Sequence, residues 1–231
     1  MTSPDETLEE LGWRTWFGEQ VDEEEALHCL PVRVMAVHRG KIAVAGAVLQ
    51  RLVSPYIAGA APSDDHPTVG DWLLIDAVTF EPVRVLRRMN LFKRRSPADP
   101  RKEQMIAANV DTLFIVASCN QDFSVGRIER YLVLAREVGV HPVVVLTKTD
   151  LTDAKETFAA AVRAIEPGLR VETVNGRDPA SVASLASWCG RGQTVALLGS
   201  SGVGKSTLVN TLRGSDSIAT QAIRAGDDTG R

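Results

Sequence analysis

The sequence predicts an α/β chain in which a small all-β unit precedes an open, mostly parallel sheet built around a glycine-rich loop. Three observations predict it. Residues 32–91 carry short runs of β-type alternation separated by turn residues. From Asp111 onward, apolar strand-like runs alternate with helical spacing. Near the end, an apolar strand runs through a glycine-rich loop directly into an apolar helix.

Composition sets the frame. The chain has 231 residues, 44% hydrophobic and 24% charged, with a net charge of −3, ordinary values for a globular protein. No apolar run approaches the ~18–20 residues of a membrane span. The acidic start, Met1 to Glu6, lacks the basic region of a secretory signal. Cys29, Cys119 and Cys189 form no CxxC pair, so neither a disulfide framework nor a zinc site is legible. A cytoplasmic protein with no membrane partner is expected.

Charge is unevenly placed. Residues 1–30 hold nine acidic side chains and one basic one, Arg14. This acidic extension reads as partly helical, anchored by Leu8, Leu11, Trp13, Trp16 and Phe17. Arg84, Arg87, Arg88, Lys93, Arg94, Arg95, Arg101 and Lys102 lie in one segment with a single acid, Asp99. Such a cluster suits a phosphate backbone, and it equally suits a solvated linker face.

Within residues 31–95, Val32–His38 and Lys41–Leu49 flank a hairpin turn at Arg39-Gly40. A small-residue loop spans Ser54–Gly70, and Asp71–Val78 and Pro82–Leu86 alternate again. Several short strands in so few residues suggest a small barrel, with the OB type as the leading candidate. Ser96 to Pro100 reads as a linker into a second domain, residues 96–231. There Asp111–Ala117, Val143–Leu146, Val171–Val174 and Thr194–Leu198 are expected as buried parallel strands. Ile128, Tyr131, Leu132, Ala135 and Val138 mark a helix stopped by Gly139 and Pro142. Asp153 is the expected cap of the next helix, whose apolar face is Phe158, Ala161, Val162 and Ile165.

The strand Thr194–Leu198 leads into Gly199, Ser200, Ser201, Gly202, Val203, Gly204, Lys205, Ser206 and Thr207. This matches GxxxxGK[ST] in the strand–loop–helix setting that gives the motif meaning. The glycines let backbone N–H groups converge on phosphate oxygens. Lys205 is placed to bridge β- and γ-phosphates, and the Ser206 hydroxyl to ligate Mg²⁺. A nucleoside triphosphate is the implied ligand.

Val143–Leu146 ends in Thr147, Lys148, Thr149 and Asp150. These residues resemble the guanine-selecting NKxD element, in which the carboxylate accepts from the guanine ring N–H and amino group together. Taken alone they read rather as a polar turn with a capping Asp. The departure is Thr147 in place of Asn, which keeps a hydroxyl but loses the amide's paired donor and acceptor; a weaker tie to the phosphate loop is expected. Val174, Asn175 and Gly176 end the next strand, where a short loop would touch guanine O6, or simply make a β-turn. Asp150 precedes Gly199 in the chain, the reverse of the usual order. The domain therefore reads as a circularly permuted P-loop GTPase domain.

A β-barrel, Arg95-Ser96-Pro97, Ala108–Asp111, Asp122-Phe123, Arg127–Tyr131, Thr147–Asp150 and Gly199–Thr207 follow one another in order. The series resembles the bacterial ribosome small-subunit-dependent GTPase A family over roughly residues 8–231. The resemblance implies an OB domain contacting ribosomal RNA, and GTP hydrolysis stimulated by the small ribosomal subunit during its late maturation. Gly226–Arg231 resembles the start of that family's first switch loop. The switch threonines, a DxxG loop and a zinc-binding domain would then follow Arg231, so the GTPase domain is expected to be truncated and to lack full catalytic machinery. Zn²⁺ is expected only if that further domain exists. No residue is assigned to positioning the catalytic water. The rival readings are an ATP-using P-loop enzyme and an RNA-binding module with a non-catalytic nucleotide site.

Overall fold

The structure, a computed structural model, describes residues 7–59, 66–95 and 103–214. The expected linker at Ser96–Pro100, the basic residues Arg101 and Lys102, and the switch-like Gly226–Arg231 lie outside the described residues. The chain divides into two compact units, residues 1–110 with 191–194, and residues 111–190 with 195–231. Among the described residues, no helix is long and apolar enough to cross a membrane.

The first unit opens with two short helices, α1 (Thr15–Gly18) and α2 (Glu23–His28). Asp22 and Glu25 close a reciprocal capping box on α2, which satisfies two otherwise orphaned N–H groups. Five strands follow: β1 (Cys29–His38), β2 (Lys41–Gly46), β3 (Leu49–Val53), β4 (Trp72–Asp76) and β5 (Pro82–Val85). They form one antiparallel sheet in the order β3-β2-β1-β4-β5. Three hairpin-connected strands with the fourth returning beside the first is a Greek key. The run expected over Lys41–Leu49 is divided by a turn at Ala47-Val48, and β3 pairs back onto β2. Among the described residues no ladder joins β3 to β5, so the structure shows an antiparallel sheet and not a closed barrel.

Period-two alternation gives the sheet two apolar faces. Val32, Val34, Ile42, Val44, Leu73 and Ile75 gather on one. Trp72, Leu74 and Ala45 turn to the other, where Leu11 and Phe17 from the acidic N-terminal segment cover them. Trp13 meets Trp72 edge-on at 4.8 Å between ring centroids. Two further strands, β6 (Leu91–Arg95) and β7 (Glu103–Ala108), pair with each other across the position where a domain boundary is expected. The first unit consequently extends to Val110. Asn109 and Asn90 hold this junction: Asn109 Nδ2 donates to the Gly70 carbonyl at 3.0 Å, and Asn90 Nδ2 donates to the Val110 carbonyl at 2.8 Å. Gly70 is compulsory there, because a Cβ would lie 2.2 Å from the Ala108 carbonyl oxygen and its φ is +90°.

The second unit is the expected α/β layer. Strands β8 (Thr112–Ser118), β9 (His141–Thr147), β10 (Arg170–Thr173) and β11 (Val195–Leu198) are parallel, in the order β10-β9-β8-β11. The intervening helices are α3 (Val125–Val138), α4 (Lys155–Arg163) and the short α5 (Pro179–Val182), and α6 (Lys205–Arg213) follows β11. Gly139 ends α3 in the left-handed conformation, as its position predicts. Asp153 does not cap α4. The N-cap is Ala154, whose N–H is taken by the Thr152 hydroxyl at 3.1 Å. Phe114, Val116, Val143, Val145, Leu185, Val203 and Leu208 form the core beneath the loops at the strands' carboxyl ends.

Candidate nucleotide site

All four strands of this sheet run the same way, so the loops after β9, β10 and β11 emerge at one edge. Open α/β sheets bind ligands there. Each loop carries residues singled out by the sequence, and hydrogen bonds tie the three together.

The loop after β11 is shaped by its glycines. A Cβ on Gly199 would stand 2.3 Å from the Val116 carbonyl oxygen of β8, so only glycine lets the loop leave the sheet so closely. Gly202 and Gly204 have φ of +78° and +95°, and Gly204 is the N-cap of α6. Val203 is buried in the core, whereas Ser201, Gly202 and Ser206 are exposed and Ser200, Lys205 and Thr207 half-buried. Lys205 Nζ curls back to donate to the Gly199 and Ser200 carbonyls, at 2.8 and 2.6 Å. Burial pushes its pKa down from the ordinary lysine value, since desolvation disfavours the charged form.

Thr147 ends β9 and is almost fully buried. Its Oγ1 donates to the Val203 carbonyl at 2.6 Å and stands 3.3 Å from the Ala117 carbonyl. Without the Asn amide, the hydroxyl itself makes the tie to the phosphate loop, through one short bond. Lys148 follows with φ +59°, a left-handed conformation that costs a long side chain about 1 kcal/mol or more. Strain of that kind persists where neighbours over-determine it, here between the anchored Thr147 and the 3-10 turn Thr149–Leu151. Asp150 is presented to solvent on that turn.

After β10, the Asn175 N–H donates to Ser181 Oγ at 2.9 Å, and Asn175 Oδ1 accepts from the Arg177 N–H at 3.0 Å. Its side chain thus builds the turn, while Gly176 offers its carbonyl to Thr211 Oγ1 of α6 at 2.6 Å. Thr211 was not evident as a site residue from the sequence, and neither was Arg127. The Arg127 guanidinium, on the first turn of α3, donates to Ser200 Oγ at 2.6 Å. Both contacts join residues far apart in the chain; Arg127 opens the Arg127–Tyr131 motif, but that motif does not announce its contact with Ser200.

A family model described as RsgA GTPase matches residues 85–231, more than half of the chain. This chain belongs to the RsgA GTPase family. A relative from Mesorhizobium japonicum, "Small ribosomal subunit biogenesis GTPase RsgA", is 44% identical over all of this chain and 66% of its own length. One from Vibrio parahaemolyticus, "Small ribosomal subunit biogenesis GTPase RsgA 2", is 43% identical over all of the chain and 63% of its own. The chain thus spans just under two thirds of the length of these RsgA relatives. Among solved structures, YjeQ from Thermotoga maritima superposes with a TM-score of 0.62 at 22% identity, covering 84% of this chain and 67% of that one. YloQ, described as a circularly permuted GTPase, gives 0.58 at 21% identity, covering 80% and 64%. The fold is shared with both, and in this chain the strand before Asp150 precedes the one before Gly199.

Proposed function

We propose that this RsgA-family chain binds GTP and GDP at the joined loops and belongs to a protein that hydrolyses GTP, in a ribosome-dependent manner, during late maturation of the small ribosomal subunit. The observation that carries the reading is a pair of bonds: Thr147 ties the loop after β9 to Val203 of the phosphate loop, and Thr211 of α6 ties the loop after β10 to the helix that the phosphate loop opens. They hold an exposed carboxylate and a phosphate loop on one edge of the sheet, the arrangement that a nucleotide's two ends require. Asp150 accepts from the guanine ring N–H and amino group, Lys148 lays its stem over the base, and Thr149 and Asn175 shape the loops around it. Backbone N–H groups of Gly199–Thr207 and the Lys205 ammonium hold the phosphates. The Ser206 hydroxyl, a hard oxygen exposed on the first turn of α6, suits Mg²⁺, which when bound neutralises phosphate charge. Calorimetric titration is expected to show GDP binding with ADP at least about 10²-fold weaker; equal affinities would favour the ATP-using rival.

Lys205 gives this reading a pH signature. Its pKa is lowered in the free chain, and a phosphate anion beside it favours the charged form. Binding therefore takes up a proton at alkaline pH, and affinity falls as pH rises through the depressed pKa, below the usual lysine range. Arginine keeps its charge throughout. Lys205→Arg is accordingly expected to lose this part of the decline, while the guanine ring's own ionisation affects both proteins alike. Matching pH profiles for the two would argue against Lys205 as the phosphate cation.

The Greek-key sheet of the first unit supports an OB-type barrel that contacts ribosomal RNA. The basic segment supplies less of that contact than its composition suggests. Arg84 is bonded to Glu25 at 2.6 Å, and Arg88 to Asp71 at 2.7 Å. Arg87 lies over the Trp16 ring, and Lys93 and Arg94 project from β6 towards Glu103 and Gln104. Unlike Arg84 and Arg88, these last three are exposed, which supports a contact with phosphate. A cytoplasmic location follows from the same role.

A further inference from the structure

Ser200, the second residue of the phosphate loop, is held between two cations. Lys205 Nζ donates to its carbonyl at 2.6 Å, and the Arg127 guanidinium donates to its hydroxyl at 2.6 Å. Both cations are half-buried. The other acceptors on them are backbone carbonyls, Gly199 for Lys205 and, at a long 3.5 Å, Asp122 for Arg127. Among the described residues no carboxylate pairs with either. Two partly desolvated like charges drawn to one neutral residue repel, and only an anion between them reverses the sign of that interaction.

The loop and Lys205 already answer the charge of a diphosphate. Arg127 is one cation more, and a triphosphate carries the additional charge to match it. We infer that Arg127 contacts the terminal phosphate of the bound nucleotide and makes the site prefer guanosine triphosphate to diphosphate. The inference rests on the nucleotide reading above but assigns a residue that reading does not use. A guanidinium has five N–H donors in a planar fork. One donor on Ser200 Oγ fixes its position and leaves others for a phosphate oxygen pair, the geometry in which arginine binds phosphate best. Ser200 is then a rest for the side chain, and the terminal phosphate is its working partner.

The alternative is that Arg127 only pins the loop through Ser200. Arg127→Ala and Ser200→Ala both delete that bond, yet only the first deletes the cation, so the pair separates the two roles. The experiment measures affinities of the chain for GDP and for the non-hydrolysable imido analogue of GTP, with Arg127→Lys as a third variant. Arg127→Ala is expected to weaken the analogue about tenfold, the worth of one charge-assisted hydrogen bond, and GDP by less than about twofold on the same scale. Ser200→Ala should keep the wild-type ratio between the two nucleotides, and Arg127→Lys should recover part of it. Equal loss for both nucleotides, matching effects of the two alanine variants, or an unchanged ratio in Arg127→Ala would overturn the inference while leaving the guanine site intact. A wild-type chain that binds neither nucleotide would instead overturn the site reading, and this inference with it.

Discussion

Asp150→Asn is expected to lower GDP affinity by a factor on the order of 10²–10³ and to raise affinity for xanthosine diphosphate. Two hydrogen bonds to a charged acceptor are at stake, each contributing ~1.5–3 kcal/mol. The asparagine amide keeps one acceptor and turns a donor toward the guanine amino group, which is itself a donor. Xanthine carries a carbonyl where guanine has that amino group, so the same amide finds a partner on each atom. Sites built around a polar partner reject the wrong base because a group is left unpaired, not because it fails to fit. The fold should tolerate the change, since Asp150 is exposed on a 3-10 turn and its neighbour Thr147 keeps the bond to Val203. Calorimetry with both diphosphates tests the prediction. Unaltered GDP affinity in the variant would show that the carboxylate does not read the base.

The parts of this site that local sequence displays are those whose chemistry is local. Glycines at 199, 202 and 204 are demanded by backbone geometry over a few residues, so GxxxxGK[ST] could be read directly. The parallel strands were legible because they are buried on both faces and leave unbroken apolar runs, as in Leu113–Val116 and Val143–Leu146. What the sequence hides is long-range pairing. Thr147 looks like a defect in NKxD until its hydroxyl is found on Val203. Arg127 looks like one more charge on a helix until it meets Ser200. The hairpin of β6 and β7 was obscured by a Ser-Pro-rich stretch and a density of Lys and Arg, both poor strand signals. Its register places Arg94 opposite Gln104, with the Arg94 side chain bonded to Gln104 and Lys93 reaching diagonally to Glu103.

The basic segment shows the same limit most sharply at Arg88, where the largest stability effect is expected. Asp71 is wholly buried, and the Arg88 fork meets it with both arms, Nε to Oδ1 at 2.7 Å and Nη2 to Oδ2 at 2.8 Å. Asp71 Oδ2 also accepts the Thr68 N–H at 2.8 Å, and Arg88 Nη2 reaches the His66 carbonyl at 3.2 Å. The pair therefore ties down residues 66–71, which lead into β4. Arg88→Ala removes one partner and leaves a carboxylate with no counter-charge in the interior, a change that costs about 3–5 kcal/mol. Urea unfolding followed by tryptophan fluorescence reports on this unit, because Trp13, Trp16 and Trp72 lie within it. Replacing both partners, Asp71→Asn with Arg88→Met, should restore much of the loss, because neither variant side chain then buries an unpaired charge. If Arg88 were instead an RNA contact, the single variant would weaken RNA binding and leave the urea midpoint unchanged. The buried fork argues for the former outcome: composition counts Arg88 as available charge, while its geometry commits that charge to the fold.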